Sequence, residues 1–179
     1  PLGPSSPTYC VMPWINLSTE TNGNCKICCV VMRDRYVTKP DGTPFRLHND
    51  AIEEIWNSEY LRDVRKKMLS GERVPDCSYC YEREDQGAIS PRQDYNVRMP
   101  ATHVSQDLGR SNGVASQLPV SLEPRPGTAC NLRCASCWSM SSSRVEIERR
   151  KMLADPTMQI PGELRPDFEN EIAMANQSD

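Results

Sequence analysis

Large aliphatic residues and phenylalanine are scarce in this sequence of 179 residues. Leu, Ile, Val and Phe together fill only 32 positions, a share below that usual for a self-sufficient hydrophobic core. The net charge of −3 is too small for a chain that self-repulsion keeps disordered. We therefore expect something other than apolar burial to help hold the fold, and the nine cysteines are the obvious candidates.

Other absences exclude whole classes of protein. No apolar run approaches the roughly 20 residues of a membrane-spanning helix, so we expect no membrane span. The chain has 21 Lys and Arg against 24 Asp and Glu, without a basic stripe, which argues against nucleic acid as a partner. The two histidines, His48 and His103, lie in polar, loop-like stretches, so a Ser-His-Asp hydrolase is disfavoured.

The cysteines have the spacing of metal ligands. Their number is odd, Cys28 and Cys29 are adjacent, and Cys77-x2-Cys80 has the same CxxC spacing as Cys25-x2-Cys28. These features fit a disulfide framework poorly. Disulfides remain an alternative, because connectivity cannot be read from a sequence. Metal or cluster ligation in a reducing compartment fits better, and we expect a cytoplasmic protein without a secretory signal.

Local patterns predict most secondary structure. Asn22-Gly23 lies between strand-like runs over 11–19 and 26–32, which predicts a hairpin that brings Cys10 and Cys28 toward each other. Apolar spacing and stop signals predict helices in three regions, from Asp50 to Gly71, over 78–86 and over 143–153.

Capping signals and apolar alternation complete the prediction. The pairs Asp50 with Glu53 and Ser143 with Glu146 are predicted capping boxes. A short strand is predicted over 118–123. Residues 88–117 show little apolar period and are interpreted as linker, and 156–179 as a tail without a clear element.

The sharpest motif is Cys130-x3-Cys134-x2-Cys137. Three thiolates at this spacing can hold one face of a cubane cluster and leave its fourth iron without a protein ligand. The alternative is a zinc knuckle, but three cysteines do not fill a tetrahedral zinc site and no histidine lies near them.

This motif resembles the signature of the radical S-adenosylmethionine superfamily. The family places an aromatic residue just before the third cysteine, whereas this chain has Ser136 there and Trp138 after it. The resemblance implies that the open iron of a 4Fe-4S cluster binds S-adenosylmethionine. It also implies a partial TIM-like barrel whose first strand precedes the cysteine loop.

A second group of residues resembles the twitch domain, the short relative of the SPASM auxiliary-cluster domain. The resemblance lies in the spacing of Cys10, Gly23 and Cys28, in Cys-x2-Pro-Trp, in IEEIWNSE at 52–59, and in CSYCYEREDQG at 77–87 followed by Ser90 and Arg92. It implies that four cysteines bind an auxiliary 4Fe-4S cluster for electron transfer, tuning or structural support. These are Cys10, Cys28, Cys77 and Cys80.

Two cysteines stay outside these sets. Cys25-x2-Cys28 with Cys77-x2-Cys80 would also make a four-cysteine zinc site, which leaves Cys10 idle. Cys29 follows a ligand in a predicted strand, so we expect it to point to the opposite face as a small buried residue.

The fold class is therefore predicted as α/β, an α+β twitch module followed by the start of a partial TIM-like barrel, stabilised by clusters. Predicted domains are the twitch module over 9–97, a linker over 98–117, and the first strand, cluster loop and helix of the barrel over 118–179. Only 42 residues follow Cys137, and no convincing GGE motif is present. We expect the chain to be an incomplete N-terminal portion of an enzyme.

The resemblance implies reductive cleavage of S-adenosylmethionine to a 5′-deoxyadenosyl radical, which abstracts hydrogen from a substrate. Implied partners are an electron donor such as a flavodoxin or ferredoxin, and a peptide or protein substrate. No catalytic residue is assigned beyond the cluster ligands. The alternative is a non-catalytic zinc- or cluster-binding structural or interaction module.

Overall fold

The computed structural model describes residues 6–32, 34–99, 107, 112–125, 127–134 and 136–176. The chain divides into two compact units, residues 1–124 and 125–179. The fold is mixed, with several helices and one small three-stranded sheet, which agrees with the predicted α/β class. The described residues form no barrel, because their three strands make only this sheet.

The first unit contains most of the described elements. They are α1 (Met12–Ile15), β1 (Asn16–Thr19), β2 (Cys25–Lys26), α2 (Ile52–Trp56), α3 (Glu59–Ser70), α4 (Ser78–Asp85), α5 (Pro91–Arg98) and β3 (Ser121–Glu123). The second unit contains α6 (Ser143–Ala154) and α7 (Arg165–Asn176). None of the described helices has the length and apolar character needed to cross a membrane.

The sheet has the strand order β2-β1-β3 and contains the predicted hairpin. β1 and β2 are antiparallel across the Asn22-Gly23 turn, with Ser18 opposite Lys26. The strands are shorter than predicted, because Pro13 helps begin a helical turn and the chain turns again at Cys28, whose carbonyl accepts from Val31 N–H.

The predicted strand over 118–123 is present as β3, but its partner was not predicted. β3 runs parallel to β1, with Leu17 opposite Leu122. The boundary between the compact units therefore falls after residue 124 rather than before the strand.

Helix α3 confirms the predicted stop signal at Gly71, whereas its start after Ser58 divides the helical region predicted from Asp50 to Gly71. Ser58 Oγ accepts from Leu61 N–H at the first turn, and Gly71 ends the helix at a φ of 82°, where glycine avoids Cβ strain. The Asp50–Glu53 capping box was wrong, since α2 begins after Ala51 without a side-chain cap. Asp50 instead accepts from the backbone N–H of Arg46 at 2.7 Å.

The linker interpretation was wrong for residues 90–98. Ser90 and Gln93 form a full capping box and Pro91 begins α5, so the capping signals were present but the short helix lacks an apolar period. Residues 112–117 are also packed, because Trp56 Nε1 donates to the Gln117 carbonyl at 2.7 Å. Residues 100–106 and 108–111 of the predicted linker lie outside the described part.

In the second unit, the N-cap of α6 lies one residue before the predicted N-cap, Ser143. Its N-cap is Ser142, whose Oγ accepts from Val145 N–H, so the predicted box at Ser143 was wrong. The tail interpretation was also wrong, because residues 165–176 form α7. Glu171 of α7 accepts from Ser139 N–H at 3.0 Å and pairs with Arg149, and such distant contacts leave no local sequence pattern.

A buried arginine ties several parts of the first unit together. The Arg65 side chain is fully buried, and its Nε donates to the Pro13 carbonyl at 2.8 Å. One terminal nitrogen donates to Asn57 Oδ1 and to the Gly113 carbonyl, both at 3.1 Å, and the guanidinium lies 4.6 Å from the Trp56 ring centroid. Arg65 thus connects α1, α2 and the 112–117 segment to α3.

Replacing Arg65 should cost much stability. Arg65→Met keeps side-chain bulk but removes the arginine donor from the Pro13 and Gly113 carbonyls and from Asn57 Oδ1, which keeps the Ala115 N–H. We therefore expect the free energy of unfolding to fall by about 2–3 kcal/mol. Arg62→Met on the same helix is the control, because the Arg62 side chain is half-buried and its Nε donates to the Asn112 carbonyl at the long distance of 3.5 Å. Urea unfolding followed by circular dichroism measures both, and equal losses would contradict the role of Arg65.

Candidate metal centre

Four cysteines from separate parts of the first unit surround one pocket. Cys10 precedes α1, Cys28 lies in the turn after β2, and Cys77 and Cys80 flank the start of α4. All four line the pocket together with mainly apolar side chains, among them Met12, Ile27, Val31 and Met68. The hairpin prediction that brought Cys10 and Cys28 together is consistent with this placement.

The four thiols are close enough to influence one another in every pairing. Burial raises the pKa of all four, that of Cys28 to about 11. After burial, the pKa of Cys77 is raised by the other three thiols, that of Cys10 by Cys28 and Cys80, and that of Cys28 by Cys80. All six pairs therefore interact within one buried space.

Backbone N–H groups point at three of these thiols. The N–H of Met12 lowers the pKa of Cys10, those of Val30 and Val31 lower that of Cys28, and that of Arg92 lowers that of Cys80, each after the larger effect of burial. Hydrogen bonds to sulfur favour the thiolate, which is the form that binds metal. These hydrogen bonds therefore offset part of the effect of burial on Cys10, Cys28 and Cys80.

The donor set fits an iron–sulfur cluster. Among residues that the structure describes, no three Cys, His, Asp or Glu side chains are placed to hold a single metal ion. Four thiolates are the usual ligands of a 4Fe-4S cluster, so the residues present suit that group.

Cys25 does not join this set. It lies on β2, is fully buried away from the pocket lining, and its Sγ is 3.8 Å from the Gly23 carbonyl. The structure therefore brings Cys10, and not Cys25, to Cys28, Cys77 and Cys80. This geometry disfavours the alternative zinc set that the sequence left open.

Cys29 lies beside the pocket in a turn rather than in the predicted strand. It is half-buried, and its Sγ is 3.8 Å from the hydroxyl of Tyr95, a lining residue. The expectation of a small residue on the opposite face of a strand was therefore wrong in its geometry.

The second unit carries Cys130, Cys134 and Cys137 on one loop before α6. Cys134 is exposed and the other two are half-buried. The Leu132 N–H lies 3.4 Å from Cys130 Sγ, and the Cys137 N–H donates to the Cys134 carbonyl at 3.0 Å. The three cysteines lie close together in sequence, but their side chains are not placed to hold one metal ion in the structure.

A charged network beside the pocket was not assigned a role from the sequence. Arg92 lines the pocket and pairs with Glu84. From the sequence, Ser90 and Arg92 belong only to the motif that resembles the twitch domain. The two residues are eight positions apart and lie on different helices, so the i, i+3 and i, i+4 spacing of ion pairs within one helix does not predict this pair. His48 is exposed, as expected, and His103 lies outside the described residues.

One comparison with known proteins gives a match. Residues 10–81 match the SPASM family, described as an iron-sulfur cluster-binding domain. The matched segment contains all four pocket cysteines, and this kind of domain is typical of radical S-adenosylmethionine proteins. The chain matches no curated protein and no solved structure.

The buried Cys25 thiol should make stability fall at high pH. Burial, and secondarily Asp50, raises the pKa of Cys25 to about 12 in the folded chain. Because the folded-state pKa exceeds the unfolded one, this contribution is complete below about pH 8.5 and is lost as the pH rises toward 12. We expect the free energy of unfolding to fall between about pH 9 and 11.

The test compares Cys25→Ala with Val37→Ala in urea unfolding across this pH range. Cys25→Ala should make the alkaline decrease less steep, whereas Val37→Ala, at an equally buried position without a titratable group, should leave its slope unchanged. A Cys25→Ala profile as steep as that of the unsubstituted chain would contradict the assignment.

Proposed function

We propose that Cys10, Cys28, Cys77 and Cys80 bind a 4Fe-4S cluster in the first unit. The observation that carries this proposal is the mutual interaction of all four thiols in one buried pocket. The family match over residues 10–81 supports it independently. The four cysteines are the ligands, while the apolar lining excludes water from them.

Four protein ligands leave no iron open, so this site suits electron transfer or structural support rather than substrate binding. When bound, the cluster would supply one-electron transfer. The chain contributes the backbone N–H groups of Met12, Val30, Val31 and Arg92, which stabilise the sulfur ligands. Burial of the ligands also protects them from exchange with solvent thiols.

The ligand assignment is tested by iron content in the full chain with Cys130, Cys134 and Cys137 replaced by Ala. In this background we expect about four irons per chain after anaerobic reconstitution. Cys28→Ala should reduce iron retention at least tenfold against a chelator, because the cluster loses one ligand. Cys25→Ala is the matched control, since both thiols are buried and lie three residues apart.

Loss of iron in Cys25→Ala but retention in Cys28→Ala would contradict the proposed ligand set. Zinc in place of iron in the background protein would instead favour a structural metal module. Both results are read from metal analysis and visible absorption of the same samples.

We further propose that Cys130, Cys134 and Cys137 bind a second 4Fe-4S cluster of the radical S-adenosylmethionine kind. The support is their C-x3-C-x2-C spacing on one loop and the exposure of Cys134. With three ligands, this cluster would supply an open iron for S-adenosylmethionine and an electron for its reductive cleavage. The chain would then be part of a cytoplasmic redox enzyme, reduced by a flavodoxin- or ferredoxin-like donor and acting on a peptide or protein.

Addition of S-adenosylmethionine tests the second site. We expect the electron paramagnetic resonance spectrum of the reduced, reconstituted chain to change on addition, because the ligand binds the open iron. Cys134→Ala should abolish this change, and Cys29→Ala, a half-buried cysteine outside both sets, should retain it. An unchanged response in Cys134→Ala would contradict the proposal.

A further inference from the structure

A buried ion pair that the ligand assignment does not use adjoins the four-thiol pocket, and its cation, Arg92, lines the pocket. Of the described residues that line the pocket, Arg92 alone carries a positive charge. Its side chain is 8% exposed, and that of its partner Glu84 is 15% exposed. Buried charges are costly unless they are paired and hydrogen-bonded, so their position beside the thiols calls for a function.

The pair is fixed from several sides. Arg92 Nε donates to Glu84 Oε1 at 2.9 Å, and a second nitrogen contacts the other carboxylate oxygen. A third nitrogen donates to the Tyr9 carbonyl at 2.6 Å, immediately before Cys10. Ser90 Oγ also donates to the Glu84 carboxylate, so neither charged group is free to turn away from the pocket.

The pair reaches the ligand segments at two points. Arg92 lines the pocket and is bonded to the Tyr9 carbonyl beside Cys10, and both charges act on Cys80, whose pKa Glu84 raises and Arg92 lowers after the larger effect of burial. Glu84 lies on α4 one turn after Cys80, and Arg92 lies on α5, where its own backbone N–H is hydrogen-bonded to Cys80. Each charge therefore reaches the ligands from its own helix.

We propose that Arg92 and Glu84 are a tuning pair that sets the reduction potential of the cluster proposed for this pocket, Arg92 raising it and Glu84 lowering it. The inference rests on the proposed function. Reduction adds one negative charge to the cluster, and a nearby cation stabilises that charge while a carboxylate opposes it. Arg92 is a positioning residue as well, because it joins the segment of Cys10 to the helix of Cys80.

The test is a redox titration of the pocket cluster in the Cys130→Ala, Cys134→Ala, Cys137→Ala background. Dithionite supplies the single electron, and the reduced cluster is followed by electron paramagnetic resonance. Arg92→Met should lower the potential and Glu84→Gln should raise it, each by roughly a tenfold change in the redox equilibrium, or about 59 mV for a one-electron couple. Shifts of opposite sign are not expected from a merely structural role.

The matched controls lie on the same helix. Arg98 and Asp94 form an exposed ion pair in α5, with a nitrogen to oxygen distance of 2.7 Å. Arg98→Met and Asp94→Asn should leave the potential unchanged, because water screens their charges. Arg92→Lys should stay close to the background potential, because it restores the charge without the paired hydrogen bonds.

Shifts of Arg92→Met and Glu84→Gln in the same direction, or no larger than those of the controls, would overturn the tuning role. If Arg92→Met does not retain iron, Glu84→Gln and Arg92→Lys decide, with an upward shift and no shift supporting the inference and any other result overturning it. A background protein without iron in the pocket would contradict the proposed function itself, and so the two failures are distinguishable.

Discussion

The enclosure of four thiols in one pocket is the constraint on which the first unit depends. The thiols come from three separated segments, before α1, after β2 and at the start of α4, so a group bound to all of them links these segments. Binding of such a group is coupled to folding, because its ligands are not assembled in an unfolded chain. Under the proposed function, this coupling would compensate for the scarcity of large apolar residues.

The parts of the fold that were predictable depend on neighbours in sequence. The Asn22-Gly23 turn and the Gly71 stop each act within a few residues, and the structure contains both. The cysteine spacings are equally local, so the candidate ligand segments could be proposed before the fold was known. The type of candidate ligand was therefore predictable from the sequence, whereas the arrangement of these cysteines in space was not.

The remainder depends on contacts between distant residues. Helix α7 has a weak apolar pattern and is held by Glu171, and β3 pairs with β1 about a hundred residues earlier in the chain. Arg65 and the Arg92–Glu84 pair are buried charges, and a sequence read residue by residue predicts such side chains to be exposed. Their partners, mostly backbone carbonyls and one carboxylate, follow from tertiary structure alone.

The most direct test of the account is the iron, sulfide and zinc content of the unsubstituted chain after anaerobic reconstitution. The account predicts about eight irons and eight sulfides per chain, since it assigns two cubane clusters. About four irons would leave the four-thiol pocket as the one cluster site and remove the proposal for the Cys130 loop. Zinc without iron would contradict the central claim that the pocket thiols bind an iron–sulfur cluster.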